Sequence, residues 1–412
     1  MTVFLWVLIA PAWAQSGLTL AEALERTQAR NPELRVFELR EDVLAGRRQQ
    51  ADQAPGFELG LQTESLIGTG DLAGFDGAEV ALSLSSVFEL GDKRGTRTRV
   101  VDSRLDQLDA EAEARAMDVF GDVTQRFIAA LALQEKLAIA RDAVELAQTS
   151  QALVIERVER GAAPAAERLR AEAALARARL DVSAIEAEHT GRLSEIAAYW
   201  GEIQPDFDRL DGDLFRSAPV ADFERLDRRV AATPAIERFA STARLRDAEL
   251  ALARSRSSAD IRWSVGTRYN RSLDDTAVEF GVSLPLFTGS RNRGNVQSAR
   301  AAREVVDTEA ESALAALRAR VFGAWQAHKQ ASGAVETLQT DVIPALTEAQ
   351  EQTRAAWAQG RYTYLEWISA QRELLQARRA RVDAAAETWL NQALIEQLTA
   401  RSLAERLDSA RP

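Results

Sequence analysis

The chain has 412 residues, enough for two or more ordinary domains, and a formal net charge of −11, which argues against nucleic acid as a partner. It holds no cysteine and two histidines, which excludes disulfides, thiol chemistry, zinc sites of the cysteine type and lipid attachment through cysteine. Aromatic residues make up 6 %, and Ala, Arg, Glu and Leu dominate, a composition of long helices.

Residues 1–15, MTVFLWVLIAPAWAQ, carry an apolar core from Val3 to Ala10 followed by Ala12-Trp13-Ala14, a small-x-small cleavage site. They read as a secretory signal over residues 1–14. No Lys or Arg precedes the apolar run, so an ordinary buried helix is the alternative. No later stretch approaches the ~20 apolar residues of a membrane helix.

Residues 18–30 predict an amphipathic helix with Thr19 as N-cap and Glu22 three residues on, a capping box. Asn31-Pro32 breaks it, and Pro32 opens the next helix, to about Ala51. Residues 57–66 then alternate, with Phe57, Leu59 and Leu61 on one side and Glu58, Gly60, Gln62 and Glu64 on the other. A loop rich in Gly and Asp, 67–77, leads to a second strand, 78–88. Val80, Leu82, Leu84 and Phe88 share one face of it, opposite Glu79, Ala81, Ser83 and Ser85. The two strands make a hairpin, 57–88, with one apolar and one polar face. Residues 96–158 contain no proline and predict a helix roughly 95 Å long at ~1.5 Å per residue. Its seam is Ala130, Leu133, Leu137, Ala140, Val144, Ala147, Val154 and Val158. The turn ERGAAP, 159–164, reverses the chain. The return helix, to about Trp200, has heptad-like spacing at Ala166, Leu169, Ala173, Ala176, Leu180, Ser183 and Ala187. Together, 96–200 form a long antiparallel helical hairpin.

An Asp-rich connector, 201–219, precedes a second pass through the same pattern. One helix ends at Thr233-Pro234 and another runs to about Ser257. In the strand that follows, Ile261, Trp263, Val265, Thr267 and Tyr269 oppose Arg262, Ser264, Gly266, Arg268 and Asn270. A short loop, 271–276, leads to the return strand 277–287, with Val278, Phe280, Val282, Leu284 and Leu286 on one face. A helix of about seventy residues follows, near 105 Å by the same rise, with Pro344 as a kink. Residues 359–362 turn the chain, and a last helix runs from Thr363 to about Leu407.

The duplication is arithmetic. Gly294 − Gly95, Phe287 − Phe88 and Gly360 − Gly161 are each 199, whereas Thr233-Pro234 follows Asn31-Pro32 by 202. The second half is thus shorter by 202 − 199 = 3 residues, most simply in the loop between its strands. The predicted organisation is a signal, 1–14; a first repeat, 15–201; a linker, 202–220; and a second repeat, 221–412, holding a β-hairpin at 261–287 and a helical hairpin at 290–407.

Strands of ~9–11 residues cross a bilayer when tilted, and the polar face, with Glu58, Glu64, Glu79, Arg262 and Arg268, suits a water-filled lumen. The opposite rows, including Leu59, Leu61, Leu82, Leu84, Trp263, Val265, Phe280 and Val282, are predicted to face lipid. Only a closed sheet spans lipid, because a free edge leaves backbone groups unpaired. Four strands cannot enclose water, so the chain must pool strands with copies of itself. Three copies give twelve strands, an even number in the known range. A soluble helical protein carrying two packed hairpins is the alternative on periodicity alone.

Over nearly its whole mature length the chain resembles the TolC family of outer-membrane efflux channels. LTLAEALERTQARNPEL from Leu18, LPLFTGSRNRGN from Leu284 and GRYTYLEWISAQREL from Gly360 carry the resemblance, with the repeated hairpins in the same order and spacing. FELGDKRGTR, from Phe88, is similar to the CzcC-like branch serving heavy-metal pumps, which favours ELGGKRxxR there. Asp92 stands in place of a glycine of that pattern, and the lipid-accepting cysteine of many relatives is missing. The resemblance implies a mainly α fold with β: a trimeric channel whose 12-stranded transmembrane barrel, four strands per chain, joins a long α-helical periplasmic barrel. It implies a passive duct without cofactor, localised to the outer membrane and extending into the periplasm. Its partners would be copies of itself as a homotrimer, outer-membrane lipid, a periplasmic adaptor and an inner-membrane RND pump.

It also implies functional positions. The turns at Gly161 and Gly360 would form the tip that docks the adaptor, both glycines taking φ > 0 to reverse the chain. TolC-like proteins carry two aspartates after the second tip glycine in a G-x5-D-x2-D spacing. Here Glu366 and Ser369 occupy those positions, so three Glu366 carboxylates would ring the gate. Arg361, Tyr362, Trp357 and Glu167 would supply ties between neighbouring hairpins.

No catalytic or metal-ligating constellation is seen. His189 and His328 stand alone on predicted helices, residues 68–74 have the wrong spacing for a phosphate loop, and Arg378-Arg379-Ala380-Arg381 reads as a solvated helix face. The exit duct of a multidrug or type I secretion system is the rival within the family. A periplasmic adaptor or an exported coiled-coil scaffold is the rival outside it, but neither calls for two amphipathic β-hairpins.

Overall fold

The computed structural model describes residues 17–67, 69–70, 75, 77–216 and 220–399. The expected signal and the last residues of the final helix lie outside the described residues, as do residues 217–219 of the linker. In chain order the elements are β1 (Leu18–Thr19), α1 (Leu20–Arg30), α2 (Pro32–Ala51), β2 (Glu58–Glu64), β3 (Glu79–Phe88), α3 (Lys93–Glu159), α4 (Ala165–Ala197), β4 (Leu210–Asp211), α5 (Phe223–Val230), α6 (Pro234–Ser255), β5 (Ile261–Asn270), β6 (Asp275–Ser283), α7 (Thr288–Arg291), α8 (Arg293–Thr337), α9 (Ile343–Ala358) and α10 (Tyr364–Leu398). They fall into two compact units. One takes the described residues up to Arg35, Ala114–Thr233 and those from Ala315 onward; the other takes Val36–Glu113 and Pro234–Leu314.

The second of these units holds one four-stranded antiparallel sheet in the order β2-β3-β5-β6. The two hairpins, one from each repeat, join through β3 and β5, with Leu84 opposite Val265 and Leu82 opposite Thr267. The register keeps every face consistent. Leu59 pairs Leu84, Leu61 pairs Leu82, Val265 pairs Phe280 and Trp263 pairs Val282, so the apolar rows make one continuous face. Leu59, Leu61, Phe280 and Val282 are each more than 70 % exposed.

The opposite face is ionic and crowded. Arg268 bridges Glu79 at 3.2 Å and Glu279 at 2.6 Å, and Arg262 lies 3.6 Å from Glu58. Mid-strand this face is lined by Gly and Ser, and at two of the glycines a side chain has no room. A Cβ on Gly266 would sit 2.7 Å from the backbone oxygen of Leu82, and one on Gly281 would sit 2.5 Å from Ser264 Oγ. Glycine at such points marks close backbone approach. Helices α2, α3, α6 and α8 adjoin the strands in sequence. Asn292 fastens α8 to α6 by donating from Nδ2 to Ala253 O at 2.6 Å.

The helical unit is built on Phe127, Ile128 and Leu131 of α3, Leu193 and Ile196 of α4, and Val382 and Trp389 of α10. The connector read as irregular supplies β4, which pairs in parallel with β1 as Leu18 opposite Leu210. Gln134 brackets Leu210 with both ends of its amide, and Trp389 Nε1 donates to Leu214 O at 2.8 Å. The Thr19–Glu22 capping box opens α1 as its spacing predicts.

Four expectations need correction. The seam of α4 is rotated: Ala171 and Leu175 are 1 % and 6 % exposed, whereas Leu169 and Leu180 are 60 % and 69 % exposed. Apolar residues occur on two stripes of this helix, and spacing alone does not choose between them. Strand 277–287 runs instead over Asp275–Ser283, because Pro285 has no N–H for a ladder and Phe287 turns to φ +63° to enter α7. The predicted seventy-residue helix is interrupted at Asn292 and again by a π turn, Leu338–Val342. That turn spans the carbonyl of Thr340, which the Pro344 ring would strike in a regular α-helix. Finally, α3 begins at Lys93 rather than Thr96, after Gly91 and Asp92 turn at φ +79° and +54°.

Two alanine substitutions at glycine separate crowding from propensity. Gly266→Ala is expected to destabilise the sheet unit by about 1–3 kcal/mol through overpacking. Gly46→Ala on α2, where an added Cβ meets nothing within 4 Å, is expected to stabilise by up to about 1 kcal/mol. Thermal melting in detergent checks both; equal shifts would mean that the close approach at Gly266 imposes no steric limit.

Candidate functional site

The two chain reversals of the helical unit share one geometry. Gly161 and Gly360 have φ +71° and +72°. At the first, Gly161 N–H donates to Val158 O and Ala162 N–H to Arg157 O; at the second, Gly360 donates to Trp357 O and Arg361 to Ala356 O. Each is a Schellman closure that satisfies carbonyls left open at a helix end. Nothing lies within 4 Å of a Cβ added at Gly161, and only Arg157 Nη2, at 3.8 Å, near one at Gly360. Glycine is therefore required there by the backbone and not by space.

Beside these turns the structure assembles a cluster that the sequence does not reveal. Trp357 stacks on Trp367 with centroids 4.4 Å apart, and Tyr364 meets Trp367 edge-on at 6.1 Å. Val154 and Ala171 complete the packing, so residues of α3, α4, α9 and α10 meet in one place. The Arg157 guanidinium lies 4.7 Å from the centroid of Trp357 and donates to the Trp357 carbonyl. Of the predicted tie residues, only Trp357 belongs to this cluster. Glu167 touches it electrostatically: burial raises the Tyr364 pKa, and the Glu167 charge adds to the rise. Arg361 and Tyr362 stay exposed. Arg157, Tyr364 and Trp367 escape sequence reasoning because the cluster draws on four helices. The only local signal is two tryptophans within one turn-flanking stretch.

Glu366 has a local structural partner. Thr363 is the N-cap of α10, and Glu366 accepts from Thr363 N at 2.6 Å and from its Oγ1 at 2.8 Å, while Glu366 N–H donates back to Oγ1. These hydrogen bonds, the backbone one first, lower the carboxyl pKa of Glu366, so it holds its charge. Ser369 donates to Glu373 Oε1 at 3.3 Å.

Among the described residues no three His, Asp or Glu side chains are grouped to hold a metal ion, and no helix is long and apolar enough to cross a membrane. His328 donates from Nδ1 to Thr388 O at 3.0 Å inside the helical unit. His189 is buried on α4. Burial, first of all, lowers both imidazole pKa values; Arg141 adds to the effect at His189.

With this geometry in view, comparison with known proteins is informative. The family described as outer membrane efflux protein matches residues 23–202 and 230–401, one segment in each half of the duplication. The cobalt-zinc-cadmium resistance protein CzcC of Cupriavidus metallidurans is 24 % identical over 398 residues, covering 95 % of this chain and 92 % of its own. The fold matches the crystal structure of CusC with a TM-score of 0.76 at 15 % identity, over 93 % of this chain and 92 % of that one. A membrane protein from Pseudomonas aeruginosa gives 0.75 at 18 % identity, over 92 % and 93 %.

The Arg157–Trp357 contact is expected to couple by about 0.5–2 kcal/mol in a double-mutant cycle of Arg157→Gln and Trp357→Leu. Additive losses in melting would mean that the guanidinium is held by the carbonyl alone. The two buried histidines set a pH window. Their folded pKa values lie below the unfolded value near 6.5, so protonation favours unfolding and stability falls as pH drops through about 6.5. Melting between pH 7.5 and 5.5 is expected to show this fall, at most about 1.4 kcal/mol per pH unit for each histidine, and His328→Gln to reduce it.

Proposed function

Because the chain belongs to the outer membrane efflux protein family, we propose that it is the exit duct of a tripartite exporter of divalent heavy-metal cations. Family membership makes it a transport component and not an enzyme. One observation carries the assembly: β2 and β6 both keep an unpaired edge among the described residues, on a sheet with one apolar and one ionic face. In lipid such edges must be paired. Copies of the chain pair β6 of one with β2 of the next, and three copies close twelve strands around water. The helices next to those edges carry unpartnered apolar residues suited to the same contact: Val36, Leu39 and Val43 on α2, and Val305 on α8. The exposed Leu169 and Leu180 stripe of α4 serves the helical part in the same way.

In this reading residues 1–14 direct export, Leu59, Leu61, Leu82, Leu84, Trp263, Val265, Phe280 and Val282 face lipid, and the helical unit extends into the periplasm. The turns at Gly161 and Gly360 dock a periplasmic adaptor that receives substrate from an inner-membrane RND pump. Three Glu366 carboxylates, kept ionised by their capping hydrogen bonds, ring the entrance. The Arg157–Trp357–Trp367 cluster holds the two hairpins of each chain together beside it. A duct needs sites that attract cations and release them. The exposed Glu64, whose carboxylate among the described residues accepts only from Gln62 on the ionic face, meets that need without chelation. The metal class rests on the resistance protein to cobalt, zinc and cadmium that the chain resembles along its length.

Deleting the gene is expected to lower tolerance to cobalt, zinc and cadmium with little change for drugs and dyes; the reverse pattern would assign a multidrug duct. Complementation adds the membrane test. Leu82→Arg on the apolar face is expected to cost on the order of 2–4 kcal/mol and to abolish trimer in the outer membrane, whereas Gln62→Arg on the ionic face is tolerated. Glu366→Gln, which preserves the capping box, is expected to weaken cation selectivity in planar bilayers.

A further inference from the structure

The two strand-to-helix junctions of the sheet unit differ in charge, and the difference marks a binding site. At the first junction the opening turns of α3 carry Lys93, Arg94, Arg97 and Arg99. Each has its own carboxylate: Asp260 at 2.6 Å, Asp52 at 2.9 Å, Glu89 at 2.5 Å and Asp92 at 2.9 Å. At the second junction the opening turns of α8 carry Arg293 and Arg300, and neither has a carboxylate within 4.0 Å among the described residues.

The repeat offsets explain why. Arg94 + 199 is Arg293, and its partner Asp52 + 202 is Arg254. The ion pair of the first repeat has become two like charges in the second. Arg254, Arg293 and Arg300 line one open groove between α6 and α8, of ≈ 850 Å³, in which Glu304 is the single acid. All three are exposed. The first turn of α8 contains no acidic residue, so the positive end of the helix dipole adds to the positive charge of the arginines.

Exposed apolar residues lie between the end of β6 and the groove-lining Gly289 in the chain. They are Leu284, Leu286 and Phe287, 50 %, 67 % and 76 % exposed. A ligand with a phosphate at one end and hydrocarbon at the other matches both. We propose that Arg254, Arg293 and Arg300 bind the phosphate of a membrane phospholipid whose acyl chains lie on Leu284, Leu286 and Phe287. This rests on the reading that the apolar face of the sheet meets lipid, and it adds a specific headgroup site at one end of that face.

Arg254→Asp is the informative variant, because it recreates in the second repeat the ion pair that the first repeat already folds with. Trimers purified in uncharged detergent would be titrated with phosphatidylglycerol and, separately, with inorganic phosphate, and bound lipid read by native mass spectrometry. The wild type is expected to retain phosphatidylglycerol. Arg254→Asp and Arg300→Gln are each expected to weaken retention about tenfold or more at unchanged trimer mass, and Arg177→Gln with Arg179→Gln to leave it unchanged. Equal retention by Arg254→Asp and wild type overturns the site, and so does inorganic phosphate displacing the lipid at equal concentration, which would assign a free-anion site. A wild type that forms no trimer and does not insert into vesicles removes the membrane reading itself, and the site with it.

Discussion

Unpaired backbone at a sheet edge is the constraint on which this molecule turns. Each chain supplies four strands with two open edges, and a hydrocarbon surround offers no water to satisfy them. The apolar face is poorly suited to water as well, because Leu59, Leu61, Phe280 and Val282 stay largely exposed on it. Both difficulties have one solution, closure with further copies of the same chain. The polar face carries the tightest backbone approaches, at Gly266 and Gly281, where a side chain has no room. The ion pairs of Arg268 with Glu79 and Glu279 lie across strands of both repeats on that same face.

Duplication supplies the second organising fact, and divergence between the copies carries much of the information. Where the repeats agree, the reason is backbone geometry. The tips at Gly161 and Gly360 close with the same hydrogen bonds and nearly the same φ. Where they differ, the chemistry has changed. The first junction turns through Gly91 and Asp92 at positive φ, and Asp92 pairs with Arg99. The second turns through Phe287, a bulky residue in a region that costs ~1–2 kcal/mol, and it leaves its ring exposed. One junction neutralises its arginines internally, and the other leaves them for a ligand.

The helical unit shows how local and distant interactions share one stretch. Glu366 is fixed by its own N-cap, Thr363, three residues away. Immediately beside it, Tyr364 and Trp367 turn inward to meet Trp357 and, through it, Arg157. A capping box holds the charge outward while an aromatic stack anchors the same helical turn inward. The tip is therefore ordered by contacts between hairpins and not by the turns alone.

Much of this was legible in the residues. Period-two alternation at Leu59, Leu61, Leu82 and Leu84 set the faces of the strands, proline and glycine set the breaks at Pro32, Gly161 and Gly360, and a constant offset exposed the duplication. These are local signals, each written within a few residues of where it acts. Three things were decided only in three dimensions. The pairing of β3 with β5 joins segments about 180 residues apart, and no periodicity encodes a partner. Helix α4 carries two apolar stripes, so only its packing chose Ala171 and Leu175 over Leu169 and Leu180. The Arg157–Trp357–Trp367 cluster draws single residues from separate helices, and its spacing in the chain is arbitrary. Sequence determines how each segment presents its faces; which faces meet depends on all the other segments competing to cover them.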